Sequence, residues 1–376
     1  MPDRPRLTPA IADVRRAVRV ALAGFAPNPG SHAGPLRPNA GQTAVLTRES
    51  AEVDPLAAAS PVFGQHVEGR SAAPLVLVAL SGGPDSLALA AATAFEAPRA
   101  GMRAGAIIVD HGLQPDSADV AERAAAQATA LGLFPVLVRS VTVRGDGGPE
   151  AAARAARYAA LEEAAAETGA AAVLLAHTLD DQAETVLLGL ARGSGAASLS
   201  GMQPVAGLYR RPLLGIRRAT TEAFCAESAL VPWHDPHNTD RAYTRVRVRL
   251  DVLPVLEREL GPGIAEALAR TADQLREDDE ALDRFAEEVA EDLAEHTEAG
   301  IALPVAALEA NPAALRQRLI RLAVDAEFHV ALTRAQTLEV ARLVTDWHGQ
   351  SGVDLPRVRV ERRDGLLHFT ARDPRP

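Results

Sequence analysis

The sequence predicts an α/β fold, a doubly wound parallel sheet followed by a smaller, mainly α-helical domain. Short apolar runs at Leu75–Leu80, Ala104–Val109, Phe134–Val141 and Ala172–Ala176 alternate with helical patterns, and such alternation means a parallel sheet with helices on both faces. After Arg211 it gives way to helices and arginine-rich loops, which marks a second domain. With 376 residues, 47% of them hydrophobic, the chain exceeds one ordinary domain and can fill more than one core.

Pro9–Leu22 reads as an amphipathic helix, with Ile11, Val14, Val18 and Leu22 at helical spacing and arginines between them. It leaves residues 1–25 as an N-terminal helical segment. Residues 26–73 are rich in proline, glycine, alanine and serine without a period, the composition of a flexible insertion. In the sheet domain, residues 74–234, the expected helices are Leu87–Glu96, Ser117–Leu131, Glu150–Thr168 and Asp180–Ala191, each long enough for a right-handed crossover. Ligands then belong at the carboxyl ends of the strands. In residues 235–376 the patterns predict an all-helical segment from Leu253 to about His329. Alternation through Val358, Val360 and Leu367 predicts a short strand pair after it.

Composition excludes several classes. No apolar run is long enough to span a bilayer, and the start, with Asp3, Arg4 and Arg6, lacks a signal-peptide core, so the cytoplasm is the expected compartment. A lone Cys225 rules out a disulfide framework, a cysteine-rich zinc site and a thiolate-held cluster. All 39 basic residues are arginine, so neither a phosphate-binding lysine nor a Schiff-base lysine exists. With a formal charge of -10, any polyanion must be met by local arginine clusters.

The chemistry-bearing motifs follow the strands. After the first comes Ser81-Gly82-Gly83-Pro84-Asp85-Ser86, with a helix beginning at Leu87. Two glycines let backbone approach an anion, the serines add hydroxyl donors, and a helix N-terminus adds free N–H groups and a favourable dipole. Asp85 among phosphates makes sense as a Mg2+ ligand. The plainer reading is a strand-to-helix turn with Ser86 or Asp85 as N-cap. Val109-Asp110-His111-Gly112-Leu113 ends the second strand, either gripping a nucleotide or satisfying its own turn. The fourth strand runs into His177-Thr178-Leu179-Asp180-Asp181-Gln182-Ala183-Glu184. Asp180 and Glu184 share a helix face and, with Asp181, form an acidic site at the ligand edge. Thr178 and Asp181 also fit a capping box, which accounts for one acid but not for three and a histidine. Arg154, with Arg157 and Tyr158 at helical spacing from it, is either a phosphate clamp or a solvated face.

The hexapeptide Ser81–Ser86 resembles the signature of the N-type ATP pyrophosphatase, or PP-loop, superfamily, adenine nucleotide alpha hydrolase-like proteins that cleave ATP between its α and β phosphates. Ala176–Leu188, Ala191-Arg192-Gly193-Ser194-Gly195, Val109–Leu113, Arg211-Pro212-Leu213-Leu214 and Asp235–Asp240 with Tyr243, Arg245, Arg247 and Arg249 are similar to the tRNA(Ile)-lysidine synthetase family. The match covers about Leu75 to Leu256; the insertion and the short region after Leu256 depart from the pattern. The resemblance implies that ATP adenylates the C2 oxygen of cytidine 34 in the CAU anticodon of tRNA(Ile), and that the ε-amine of free L-lysine displaces AMP. It implies ATP at Ser81, Gly82, Gly83, Pro84, Asp85, Ser86, Asp110, His111, Arg154, Arg157 and Gly193, and Mg2+ at Asp85. Asp85, His177, Asp180, Asp181 and Glu184 are then catalytic, the three acids binding cationic lysine and taking its proton. Arg211, Arg241, Arg245, Arg247 and Arg249, with Arg210, Arg217 and Arg218, supply a patch for tRNA. A homodimer is compatible with this reading. The rivals are a PP-loop tRNA thiolase, which needs more cysteines, a small-molecule ligase of the same superfamily, which usually brings a glutaminase domain, and a non-catalytic ATP-binding module.

Overall fold

The computed structural model describes residues 7–25, 73–112, 116–142, 149–193, 195–297 and 300–372. Residues 26–72 of the expected insertion, and Leu113, lie outside the described residues. In chain order come α1 (Pro9–Ala23), β1 (Leu75–Ala79), α2 (Pro84–Glu96), β2 (Arg103–Asp110), α3 (Ser117–Ala130), β3 (Val136–Ser140), α4 (Pro149–Thr168), β4 (Ala172–Leu174) and α5 (Leu179–Ala191). They are followed by α6 (Ala196–Leu199), β5 (Val205–Ala206), β6 (Tyr209–Arg210), α7 (Arg218–Glu227), α8 (Thr244–Arg247), α9 (Leu253–Leu260) and α10 (Ile264–Leu293). The described residues form two compact units, one running to Arg192 and including Met202–Ala269, the other comprising Gly193–Gly201 and the chain from Arg270. The division falls inside α10 rather than at residue 235.

The first unit holds a six-stranded sheet in the order β3-β2-β1-β4-β6-β5, parallel except for the edge strand β5. Its central strand shows why the sequence folds this way. All five residues of β1 are buried, and they alternate between two cores. Val76 and Val78 face α1, α2 and α3, whereas Leu75, Leu77 and Ala79 face Leu161, Ala164 and Ala165 of α4. A strand buried on both faces must be apolar throughout, as the run Leu75–Leu80 is. Gly105 permits close packing: a Cβ there would stand 2.6 Å from the Pro135 carbonyl oxygen. Chain order reverses between β1 and β4, so their carboxyl ends open onto a crevice of the kind that binds ligands in such sheets.

The second unit departs from the expectation. After α10 come β7 (Glu295–Thr297), β8 (Gly300–Pro304), α11 (Val305–Ala310), α12 (Ala313–Phe328), α13 (Arg334–Thr345), β9 (Val353–Leu355), β10 (Val358–Arg363) and β11 (Leu366–Ala371). The all-helical segment is therefore interrupted by two strands, and the strand pair is part of a five-stranded antiparallel sheet ordered β7-β8-β11-β10-β9. Alternation makes it one-sided: Val358, Val360, Leu367 and Phe369 are buried against α12 and α13 residues such as Ile320 and Val340. Among the described residues, no helix is long and apolar enough to cross a membrane.

Candidate active site

The loop after β1 turns through Gly82, whose φ of 82° lies in the left-handed region that favours glycine. Gly83 is the N-cap of α2 and Pro84 its first residue, so neither Ser86 nor Asp85 caps the helix. The Ser86 hydroxyl instead ties the loop together. It accepts from the Ser81 N–H at 3.2 Å, lies 3.1 Å from the Ser81 hydroxyl and donates to the Gly83 carbonyl at 3.0 Å. The next segment locks the same loop, because the Trp233 N–H donates to the Gly82 carbonyl at 2.8 Å.

Beside this loop lies a cleft walled by Ile107, Ile108, Val109, Val120, Leu161 and Trp233, with Ser81, Asp110, His111 and Arg157 among its polar lining. A second cleft is lined by His111, Arg154, Arg157, Tyr158, Leu175 and His177, so that His111 and Arg157 serve both. Burial, the guanidiniums of Arg211, Arg157 and Arg154, and opposition from Asp181 leave the His177 imidazole pushed down to about 4. Burial and then Arg157 hold His111 below its ordinary value. Nδ1 of each histidine is buried without a hydrogen-bond partner, an orphan of the kind that a ligand satisfies. Arg154 lies over the Tyr158 ring and 3.4 Å from its hydroxyl. Asp110 accepts from the Gly112 N–H at 2.9 Å, the turn contact that the plainer reading anticipates.

The acidic set is gathered as expected, but it is not free. Thr178 and Asp181 form a capping box at the start of α5, which fixes Asp181 and the helix face carrying Glu184. Arg218, at the head of α7, donates to Asp181 at 2.8 Å and stands 3.5 Å from both Glu184 and Asp85. Arg249 grips the fully buried Glu184 at 2.6 and 3.0 Å. Arg217 pairs with Asp180 at 3.0 Å and with Glu266 at 2.7 Å. Asp85 also takes the Thr221 hydroxyl. Burial dominates its titration and pushes the carboxyl up to about 6 against the pull of Thr221 and Arg218.

The expected tRNA arginines are not one patch. Arg245 and Arg249 turn inward, Arg245 reaching Thr185 at 2.6 Å and Glu184 at 3.4 Å. Arg241 forks onto Asp251, Arg247 braces the carbonyls of Arg241 and Ala242, and Arg211 holds the Gln203 carbonyl. Gly193 lies beyond the far end of α5, about 20 Å along the helix from Asp180. Sequence reasoning did not single out Thr221 or Trp233, and it put Arg217 and Arg218 in the tRNA patch, whereas here they pair with carboxylates. One signal was present: two arginines at a helix start oppose the helix dipole and so call for buried carboxylate partners.

Comparison with known proteins follows the same outline. Residues 61–256 match the model of the PP-loop domain, and residues 303–368 match that of the TilS substrate binding domain. Over 296 residues the chain is 68% identical to the tRNA(Ile)-lysidine synthase of Leifsonia xyli, covering 78% of this chain and 89% of that one. It is 53% identical over 320 residues to the Thermobifida fusca tRNA(Ile)-lysidine synthase, covering 84% and 98%. Among solved structures it is similar to the U34-tRNA thiolase NcsA of Methanococcus maripaludis, at 20% identity and a TM-score of 0.46, over 54% of this chain and 73% of that one. At such identity across nearly whole relatives, the chain belongs to the tRNA(Ile)-lysidine synthase family of PP-loop enzymes.

Proposed function

We propose that the enzyme adenylates the C2 oxygen of cytidine 34 in the CAU anticodon of tRNA(Ile) with ATP, releasing diphosphate, and that the ε-amine of free lysine attacks C2 and displaces AMP. The observation that carries this reading is the pair of clefts meeting at His111 and Arg157. One is apolar and suits a nucleoside beside the phosphate loop; the other is basic and aromatic and suits a splayed anticodon base with its phosphates. His177, neutral at pH 7, offers the second cleft a hydrogen bond without another positive charge.

Asp85 fits Mg2+ as a single carboxylate beside the phosphate loop, because Mg2+ commonly takes one or two carboxylates and completes its shell with substrate phosphates. Among the described residues no group of three or more His, Cys, Asp or Glu stands ready for a metal, so phosphates would supply the remaining oxygens. When bound, the ion would neutralise charge on the departing diphosphate. Asp180, Asp181 and Glu184 would receive lysine. Arg211, Arg241 and Arg247, together with the matched residues 303–368, would meet tRNA, in the cytoplasm where that substrate is found. Arg245 and Arg249 would act by holding the acids. Sulfur transfer is disfavoured because the Cys225 thiol is buried, donates to the Pro84 carbonyl at 3.3 Å and is pushed up to about 12. The test is AMP release with an isoleucine CAU transcript, ATP, Mg2+ and L-lysine. Wild type should release AMP and Asp85→Asn should not; release unaffected by that substitution would reject the assignment.

A further inference from the structure

Each carboxylate of the acidic set already has its partners. Glu184 is held on both oxygens by Arg249 and approached by Arg245 and Arg218. Asp181 gives one oxygen to the Thr178 N–H and hydroxyl, both at 2.9 Å, and the other to Arg218 and Arg249. Asp180 is shared between the Arg217 guanidinium and the Arg218 N–H, the latter at 2.7 Å. Four carboxylates, Asp85 included, face four guanidiniums, and Glu266 shares Arg217 with Asp180. A substrate ammonium brings three donors and no acceptor. Where a guanidinium already donates to these oxygens, it competes with that ammonium for the same acceptors.

Arg245 holds its acid only at 3.4 Å, but it is Arg218 that also reaches Asp85, and that position singles it out. Arg249 is bidentate on Glu184, whereas Arg218 makes one short contact, to Asp181, and two at 3.5 Å. Arg218 also stands in the first turn of α7, where the helix dipole disfavours a cation. Of the four, it is the arginine beside Asp85.

We propose that Arg218 is a positioning residue that makes lysine binding wait for the nucleotide. This rests on the reading of the acidic set as the lysine site. In the empty enzyme its guanidinium fills the place of the substrate ammonium. Arg218 would be repelled by a divalent cation held at Asp85 and attracted by phosphates beside it, and both forces would draw its guanidinium off Asp181 and Glu184. The freed oxygens then accept lysine. Coupling between two ligands is reciprocal, so lysine tightens the nucleotide by the same factor.

Calorimetric titration of L-lysine into the full chain, alone and with Mg2+ and α,β-methylene ATP, tests the coupling. Wild type should bind lysine about tenfold or more tighter with the nucleotide. Arg218→Gln should bind lysine without nucleotide about as tightly as wild type does with it. Equal wild-type affinity in both conditions, or lost lysine binding in Arg218→Gln, overturns the coupling while leaving the lysine site standing. Failure of wild type to bind lysine even with nucleotide present overturns the lysine site itself. Should Arg218→Gln not fold, the wild-type pair decides, checked by titrating the nucleotide with and without lysine.

Discussion

Asp85 concentrates the chemistry at the scale of single residues. Its carboxyl, pushed up to about 6 by burial, is largely protonated at pH 5 and ionised at pH 7. A metal-binding role requires the ionised form, so kcat/KM for AMP release should rise with pH through a limb near or below 6, since a bound cation favours the carboxylate. Asp85→Asn should remove that limb along with most of the activity. Glu184 carries a different load. Converting this fully buried acid to Gln takes away the nearer of the two carboxylates on Arg249 and leaves it Asp181 at 3.3 Å, so the loss should stay below the about 3–5 kcal/mol of a fully orphaned buried charge. Urea unfolding of Glu184→Gln should show that loss, and an unchanged midpoint would mean the ion-pair cluster contributes little. The candidate acids were legible because helical spacing puts Asp180 and Glu184 on one face. Their arginine partners were not, because Arg218 meets Asp85 and Asp181 only through the fold, and no local pattern encodes that meeting.

Helix starts do most of the positioning at the scale of elements. The capping box of α5 holds Asp181 in place through Thr178, so Thr178→Ala should cost about 1 kcal/mol by thermal unfolding. It should also weaken lysine incorporation, since the Asp181 carboxylate then loses the hydrogen bond from the Thr178 hydroxyl. The loop before α2 depends on Gly82; an alanine at its φ of 82° adds strain of about 1–2 kcal/mol and should raise KM for ATP. An unaltered KM would show that the loop does not need the left-handed turn. The four main strands and their helices were readable because β1 to β4 are apolar runs bounded by turn residues. The second unit's sheet was not. β7 reads Glu-His-Thr, β8 begins with glycine and ends with proline, and β8 reaches its partner β11 only across three intervening helices.

For the whole molecule, the central proposal is that an acidic chain with no lysine of its own handles a polyanion and a cationic amino acid. The arginines near the sheet's carboxyl edge divide: some pair with the acids, and Arg154 and Arg157 line the second cleft. Net charge alone foretold neither. What composition did exclude, a thiolate-based mechanism, agrees with the buried and unreactive position of Cys225. The most direct test of the central claim is incorporation of radiolabelled lysine into an isoleucine transcript bearing the CAU anticodon, with ATP and Mg2+ present and the methionine transcript of the same anticodon as control. The account predicts ATP-dependent label on the isoleucine transcript alone. Release of AMP without label, or label on both transcripts alike, would contradict it.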